Sequence, residues 1–156
     1  MAIPTYKVCV IGESGVGKTS FVLHHLDQSF TEMHVATLGV EVHPIVKLGV
    51  CFNMWDCAGD DRFGGLREGY FIRSNACLLF ATKDTLSTLA EWRSLYRSID
   101  PEGPIVVVIN KCDLKKISPA AKEVLGEAGM KVCEISVKNK KNLDLPLQLL
   151  REALNA

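Results

Sequence analysis

The segment Gly12–Thr19 constrains the fold of this chain more than any other stretch of its sequence. It reads Gly-Glu-Ser-Gly-Val-Gly-Lys-Thr and fits the pattern G-x-x-x-x-G-K-[ST]. A β-rich run, Tyr6–Ile11, precedes it, and apolar residues at helical spacing follow over Lys18–Leu26. A strand, a glycine-rich turn and a helix let backbone N–H groups converge at the positive end of the helix. The segment therefore predicts a phosphate-binding loop, and the alternative is a glycine-rich turn with a solvated lysine.

The residue types in this loop suit nucleotide chemistry. Lys18 can reach the β- and γ-phosphates of a nucleotide, and the Thr19 hydroxyl can bind Mg²⁺. The residues that we expect to bind the nucleotide here are Gly12, Ser14, Gly15, Val16, Gly17, Lys18, Thr19 and Ser20.

The rest of the chain alternates between strand-like and helix-like segments. Ala76–Ala81 and Ile105–Ile109 are continuous apolar runs, which are typical of strands buried on both faces. Val40–Val46 and Val50–Trp55 predict a hairpin, and Pro44 places its first strand at a sheet edge because proline lacks a ladder N–H. The alternation predicts an α/β fold with a six-stranded, mostly parallel sheet, one antiparallel edge strand and helices on both faces. The sequence also predicts a strand over Lys131–Ile135 and loops over 27–39 and 57–70. It predicts a helix over Leu86–Ile99 and a second helix that begins at Ser118-Pro119 and ends at Gly126 or Gly129. A last helix begins at Asn142 or Asp144 and ends at about Ala153.

Length and charge limit the classes of protein to which the chain can belong. Its 156 residues predict a single domain over 1–156. Eighteen Lys and Arg residues balance 18 Asp and Glu residues, which argues against a large nucleic-acid footprint and a polybasic membrane anchor. The apolar runs are too short to span a bilayer, and the termini carry neither a signal peptide nor a lipidation motif. We therefore expect a soluble intracellular monomer, cytoplasmic, nuclear or both, that binds neither nucleic acid nor a membrane.

The chain has six cysteines, at positions 9, 51, 57, 77, 112 and 133, and no C-x-x-C pair. Several lie inside apolar runs, where cysteine behaves as a small apolar residue. We therefore expect reduced thiols in the core, with disulfides or a metal site as the alternatives.

A second candidate site follows the strand Val50–Trp55. Asp56 and Gly59 form a D-x-x-G pattern directly after this strand. A carboxylate at this point can hold the Mg²⁺ shell from the side opposite Thr19, and the Gly59 N–H can meet a γ-phosphate. Thr37 can bind Mg²⁺ when a γ-phosphate draws its loop inward. Without the phosphate loop nearby, Asp56 would be an ordinary turn aspartate and Thr37 an ordinary loop threonine.

A third candidate site, which would select the base, follows the strand Ile105–Ile109. The Asp113 carboxylate can accept two hydrogen bonds from guanine, from N1–H and the 2-amino group, and adenine offers neither donor. The Lys111 stem can lie along the base, and the segment 136–138 can place a backbone N–H near guanine O6. Each motif follows a strand, at the end where open α/β sheets bind ligands. The candidate base-binding residues are Asn110, Lys111, Asp113, Ser136, Val137 and Lys138.

In this order the motifs resemble those of the small GTPases of the Ras superfamily, over essentially the whole chain. The resemblance implies a P-loop NTPase G domain that binds GTP or GDP with Mg²⁺ and hydrolyses GTP. It implies that Phe30 stacks on the guanine and that Asp56 acts from the outer shell of the Mg²⁺ ion, with Thr19 and Thr37 as its ligands. The implied catalytic residues are Lys18, Thr37, Gly59 and Asp60.

Two stretches resemble one branch of the superfamily in particular. Val35–Pro44 and Phe63–Tyr70 are similar to the switch regions of the Ran family of nuclear-transport GTPases. This similarity implies effector, exchange and activating proteins of the Ran type. The hairpin around Gly49 is shorter than in the Ran family, and the segment before Ser136 lacks that family's basic patch.

Asp60 stands where the superfamily has a glutamine that orients the attacking water. A glutamine amide both accepts and donates hydrogen bonds, whereas a carboxylate only accepts them. Asp60 is also one methylene shorter and brings negative charge toward a polyanion. We therefore predict slow intrinsic GTP hydrolysis.

Three functions are compatible with these motifs. The leading prediction is a GTP/GDP switch with Mg²⁺ and slow hydrolysis, favoured by Thr19, Thr37, Asp56 and Gly59. The second is a binding module that holds GTP nearly permanently and occupies Ran-type partners, favoured by Asp60. The third, a small-molecule kinase, would need an arginine-rich lid, and the sequence shows none.

Overall fold

The computed structural model describes residues 3–13, 15–26, 34–35, 40–57, 69–111 and 118–155, and at 34, 35 and 40 it describes the backbone alone. Among these residues the strands are β1 Thr5–Gly12, β2 His34–Val35, β3 Val40–Lys47, β4 Val50–Cys57, β5 Ala76–Ala81, β6 Ile105–Ile109 and β7 Lys131–Glu134. They form one sheet in the order β2-β3-β4-β1-β5-β6-β7. β4, β1, β5, β6 and β7 run parallel, whereas β3 is antiparallel to β4 and to β2.

All six predicted strands are present, and β5 and β6 have the predicted bounds and are buried at every residue. β2 is the exception, because it lies in the segment 27–39 for which we predicted only a loop. A strand of two residues is too short to show the alternation by which strands are recognised in a sequence. The mostly parallel sheet with an antiparallel edge is therefore confirmed, with this short strand added.

The edge position of β3 is confirmed at Pro44. β2 pairs with β3 only at Glu41 and Val42, which precede Pro44 in the strand. On its inner side Pro44 lies opposite Asn53 of β4. On its outer side no strand pairs with it within the described residues, so its missing N–H leaves no ladder bond unmade.

The described helices are α1 Lys18–His25, α2 Leu89–Arg97, α3 Pro119–Glu127 and α4 Leu145–Ala153, with a 3-10 helix over Lys83–Thr88 before α2. We predicted one helix over Leu86–Ile99, and this was wrong at its start. Thr85 and Thr82 form a reciprocal cap, in which the Thr82 N–H donates to Thr85 Oγ1 over 2.9 Å. Threonine hydroxyls compete with the helical ladder for backbone groups, which favours the tighter 3-10 turns here.

The predicted ends of the last two helices are largely confirmed. Ser118 Oγ accepts from the Ala121 N–H over 3.1 Å at the start of α3. Of the two glycines that we considered for its end, Gly129 lies just past the helix with a φ of 83°, a conformation that favours glycine. Asp144 precedes α4 without a capping bond from its side chain, and Pro146 lies in the first turn as predicted.

Helices cover both faces of the sheet, and residues alternate between two cores along each central strand. Val8 and Val10 of β1 face α1 and α4, whereas Cys9 and Ile11 face α2. The first core also contains Phe21, Val22, Phe52, Met54, Leu78, Phe80, Leu147 and Leu150. The second contains Phe71, Cys77, Leu79, Leu89, Trp92, Tyr96, Val107 and Ile109, with Ala121 and Leu125 of α3 packed against it.

The described cysteines, Cys9, Cys51, Cys57, Cys77 and Cys133, are all free, and four of them are buried. Cys112 lies outside the described residues. The expectation of reduced thiols is therefore met at the five positions described. Burial raises the pKa of Cys9 to about 11 and that of Cys133 to about 12, which keeps both thiols protonated near neutral pH. No helix of the described chain has both the length and the apolar character needed to cross a membrane.

Candidate functional site

The phosphate loop joins the end of β1 to the start of α1, and its glycines occupy conformations that other residues rarely adopt. Gly12, Gly15 and Gly17 have φ values of 142°, 78° and 93°. A Cβ on Gly12 would collide with the carbonyl oxygen of Phe80 on β5, and one on Gly17 would collide with the side-chain nitrogen of Asn110. Two of the three glycines are therefore required by close contacts as well as by backbone conformation.

Three side chains donate hydrogen bonds to carbonyl groups of this loop. Lys18 Nζ donates to the carbonyls of Gly12 and Glu13 over 2.9 and 2.8 Å. Lys111 Nζ donates to Gly15 over 2.9 Å, and Asn110 Nδ2 donates to Val16 over 2.9 Å. The C=O and N–H of a trans peptide point in opposite directions, so the N–H that follows each of these carbonyls points away from the side chain that binds it. N–H groups that converge in a glycine-rich loop are the arrangement that binds phosphate oxygens.

Lys18, Thr19 and Asp56 bring a cation, a hydroxyl and a carboxylate together beside the loop. Thr19 Oγ1 donates to Asp56 Oδ2 over 2.5 Å. Burial lowers the pKa of Lys18, and the charges of Asp56, Cys57 and Glu13 oppose that shift. Burial likewise raises the pKa of Asp56, and the Thr19 hydrogen bond and Lys18 oppose it. Both charged groups are thus short of solvent and gain from a ligand of opposite charge.

The oxygen atoms of Thr19 and Asp56 fit a magnesium ion. Mg²⁺ prefers hard oxygen donors, and a hydroxyl paired with a carboxylate supplies them at the start of α1. No group of three or more His, Cys, Asp or Glu residues able to hold a metal occurs within the described residues. Any ion here would therefore need further oxygens from phosphates or water, which is the usual way in which Mg²⁺ is bound.

Asn110 connects two loops at the base-binding end of the site. Its Nδ2 holds the Val16 carbonyl, and its Oδ1 accepts from the Val137 N–H over 3.1 Å. Asn110 is only 3% exposed, so these two partners use its amide within the protein. The N-K-x-D motif predicts base selection by this residue, and the structure adds a positioning role that the motif did not indicate. Its neighbour Lys111 has a φ of 64°, a left-handed conformation that accompanies its reach back to the phosphate loop.

The segment 136–138 forms a short closed turn next to Asn110. Ser136 is fully buried, exchanges backbone hydrogen bonds with Lys141, and accepts from the Asn139 N–H at its Oγ over 3.1 Å. Lys138 is exposed at the surface. The turn is therefore fixed in place by hydrogen bonds independent of any nucleotide.

A comparison with known families assigns this arrangement. A family model described as Ras of Complex, Roc, domain of DAPkinase matches residues 7–113. The match spans more than half of the chain and includes the phosphate loop, Asp56 and the N-K-x-D motif. The chain belongs to the Roc family. Since a Roc domain is a Ras-superfamily GTPase domain, the protein is a small GTP-binding protein, and the predicted superfamily and P-loop G-domain fold are confirmed.

Of the site predicted for this Roc-family GTPase domain, the structure describes part of the phosphate side and part of the base side. Ser20 lies exposed in the first turn of α1, after Thr19. Six predicted site residues lie outside the described residues, and their roles stay predictions: Ser14, Phe30, Thr37, Gly59, Asp60 and Asp113. The family match leaves the resemblance to Ran untested.

The structure also reveals a contact at the Roc-family phosphate loop that no motif signals. Glu13 Oε1 accepts a hydrogen bond from Trp92 Nε1 of α2 over 3.0 Å. The sequence marks Trp92 only as an apolar residue of a helix, and Glu13 only as a variable position of the loop. The two residues are 79 positions apart, so no local pattern could have joined them.

Proposed function

We propose that this Roc-family protein is a Ran-like switch that cycles between GTP and GDP and hydrolyses GTP slowly. The observation that carries the proposal is Asp60, at the position where a water-orienting glutamine is expected. Support for the switch itself comes from the hydrogen bonds of Lys18 to the carbonyls of Gly12 and Glu13 beside the Thr19–Asp56 pair. The similarity of Val35–Pro44 and Phe63–Tyr70 to Ran-type switch regions supports the finer assignment.

The residues of the phosphate side divide the work of binding. Lys18 uses two of its three donors on loop carbonyls, which leaves one for a phosphate oxygen. Val16 and Gly17 lie at the start of α1, where N–H groups and the helix dipole favour phosphate. Thr19 and Asp56 would hold Mg²⁺, which when bound neutralises charge on the phosphates. We assign Thr37 as a further ligand of the ion and the Gly59 N–H as a γ-phosphate contact.

The base side selects guanine through Asp113, with Phe30 and Lys111 against the ring. Asn110 fixes Val137 and the phosphate loop relative to one another, so that base and phosphates are held at a set spacing. A spacing fixed in advance lowers the ordering cost of binding.

Slow hydrolysis follows from the chemistry of Asp60. A carboxylate accepts from the attacking water but cannot donate to a γ-phosphate oxygen. Its shorter side chain also misplaces the water, and misplacement by about 1 Å can cost about a hundredfold in rate. Ras itself hydrolyses GTP unaided at only about 10⁻⁴ to 10⁻³ per second, and we expect a slower rate here.

The partners implied by this proposal are effector, exchange and activating proteins of the Ran type. We further propose that the protein acts as a monomer in the cytoplasm, the nucleus or both, without binding nucleic acid or a membrane. A pull-down with nuclear-transport receptors in the GTP and GDP states tests partner identity. Capture in the GTP state alone supports a Ran-like switch, whereas no capture in either state refutes the Ran-type assignment.

A second candidate function is a binding module that stays in its GTP form and occupies Ran-type effectors. Asp60 favours it, because a sufficiently impaired site never leaves the GTP state. The two functions share every contact of the described site and differ only in turnover.

Single-turnover hydrolysis of Mg²⁺-loaded GTP separates them, with the native protein beside Asp60→Gln. Measurable native turnover that is accelerated by Asp60→Gln supports the slow switch. No native turnover, restored by Asp60→Gln, supports the binding module. Native turnover at a Ras-like rate or faster would contradict the assigned effect of Asp60.

A further inference from the structure

Glu13 is held at two points by groups with different roles. Its backbone carbonyl accepts from Lys18 Nζ over 2.8 Å, and its carboxylate accepts from the Trp92 indole N–H over 3.0 Å. The first contact belongs to the phosphate loop, and the second reaches α2, which packs in the second core on one face of the sheet. Glu13 therefore links the segment that binds phosphates to a helix that does not.

The position of this carboxylate is unusual on electrostatic grounds. Two other features of the loop bring positive potential: the ammonium group of Lys18 and the start of α1. Glu13 places a full negative charge in the same loop, where it repels the phosphates of a nucleotide. At a separation of several ångströms near a protein surface, one such charge changes affinity by about tenfold or more.

The indole of Trp92 decides where that charge lies. Trp92 is 4% exposed and packs in the second core with Leu89 and Tyr96, so its ring is fixed and its N–H direction is set by α2. A buried indole N–H stabilises its acceptor and costs energy when left without one. The bond therefore holds the Glu13 carboxylate toward α2.

We propose that Glu13 is a positioning residue that weakens nucleotide binding in proportion to the number of phosphates, and that Trp92 sets the strength of this effect through the Glu13–Trp92 hydrogen bond. The inference rests on the proposed binding of guanine nucleotides at this loop. A movement of α2 that displaces Trp92 therefore promotes nucleotide release, because it frees the Glu13 carboxylate to approach the phosphates.

The test compares dissociation constants for GTP, GDP and GMP, measured with ribose-labelled fluorescent nucleotides in Mg²⁺ buffer. Glu13→Gln keeps an acceptor oxygen for Trp92 and removes the charge. We expect GTP to bind about tenfold tighter, GDP less so and GMP least, with the differences shrinking at high salt because charge repulsion is screened. Glu91→Gln is the matched control: it removes the same charge from an exposed position of α2, one residue from Trp92, and should change each constant less than twofold.

Trp92→Phe removes the N–H donor and keeps an aromatic ring in the core. We expect it to weaken GTP binding severalfold, because the freed carboxylate moves toward the phosphates. In the double variant with Glu13→Gln this weakening should disappear, since no charge remains to be released. If Trp92→Phe fails to fold, the indole N–H resonance of the native protein, compared with that of Glu13→Ala, which has no side-chain acceptor, still reports whether the bond exists.

The outcomes separate this inference from the function on which it rests. If the native protein binds no guanine nucleotide, the proposed function fails and the inference fails with it. If the protein binds nucleotides but Glu13→Gln shifts GTP, GDP and GMP by the same factor, or not at all, only the role of Glu13 is refuted. An unchanged Trp92 indole resonance in Glu13→Ala, which removes the acceptor, would likewise refute the hydrogen bond as its basis.

Discussion

Gly17 combines two requirements for glycine at one position of the phosphate loop. Its φ of 93° is strained for any other residue, and a Cβ would collide with the Asn110 side-chain nitrogen. Gly15 shares the first requirement only, since its φ is 78° and no atom of the described residues lies within 4 Å of an added Cβ. Substitutions at Gly15 and Gly17 therefore separate the effect of backbone strain from the effect of losing the Asn110 contact.

Gly17→Ala should impair GDP binding far more than Gly15→Ala. Both substitutions carry a strain of about 1 kcal/mol from the left-handed conformation. Gly17→Ala also displaces Asn110, which releases the Val16 carbonyl, so we expect at least a tenfold larger loss of affinity for GDP. Titration with fluorescent GDP measures it, and thermal unfolding of both variants monitors the strain. Equal losses in the two variants would show that the Asn110 contact does not hold the loop.

At the scale of elements, the bounds of a segment could be predicted best where burial of apolar side chains determines the structure of the whole segment. β5 and β6 are apolar throughout and buried on both faces, so their bounds could be predicted without error. The start of α2 could not, because Thr82 and Thr85 form local hydrogen bonds that override the helical spacing of the apolar residues. β2 depends on a partner strand rather than on its own two residues, so its sequence gave no signal.

The end of α1 illustrates a conflict between burial and the helix dipole. A cationic histidine in the last turn is normally favoured by the dipole. His25, however, is 5% exposed: its Nε2 lies 2.7 Å from the Leu143 carbonyl, and its Nδ1 has no hydrogen-bond partner within the described residues. Burial lowers the pKa of His25, aided by Lys47 and His24 and opposed by the Leu143 carbonyl and Asp144. The lowered pKa favours the neutral form of His25 in the folded protein near pH 7, although the residue lies in the last turn of α1.

His25 should make the fold less stable in mild acid. Its pKa is lower in the folded than in the unfolded chain, so the unfolded chain binds the proton more readily. The free energy of unfolding should therefore fall as the pH drops below about 6.5, by at most about 1.4 kcal/mol per pH unit from this group. Urea unfolding at pH 7.5 and 5.5 measures the fall, and His25→Gln should reduce it. His24→Gln is the control: it removes an exposed neighbour whose charge lowers the His25 pKa less than burial does, so it should keep most of the native slope. A native slope in His25→Gln would contradict the assignment.

At the scale of the whole molecule, the contacts that assemble the site join residues far apart in the chain. Asn110 lies 94 positions from Val16, and Glu13 lies 79 from Trp92. The motifs predicted that the phosphate loop and the base-binding segments meet, because both follow parallel strands at the same end of the sheet. They did not predict which side chains hold them together, since such tethers depend on three-dimensional packing and leave no periodic pattern. Nucleotide binding should consequently stabilise the whole fold rather than one loop.

Guanine nucleotide with Mg²⁺ should raise the melting temperature substantially and selectively. A ligand at about a thousand times its Kd adds about 4 kcal/mol to the free energy of unfolding, which corresponds to about 10 °C for a domain of this size. We expect this rise with GDP, little with ADP, and a reduced rise when EDTA removes the Mg²⁺ that Thr19 and Asp56 would hold. Thr19→Ala should reduce the Mg²⁺-dependent part, whereas Thr5→Ala, at an exposed position of β1, should not. Equal rises with GDP and ADP would refute guanine selection, because the base-binding residues would then add no stabilisation specific to guanine. A rise with GDP that EDTA leaves unchanged would refute the magnesium site, because Thr19 and Asp56 would then add no stabilisation that depends on Mg²⁺.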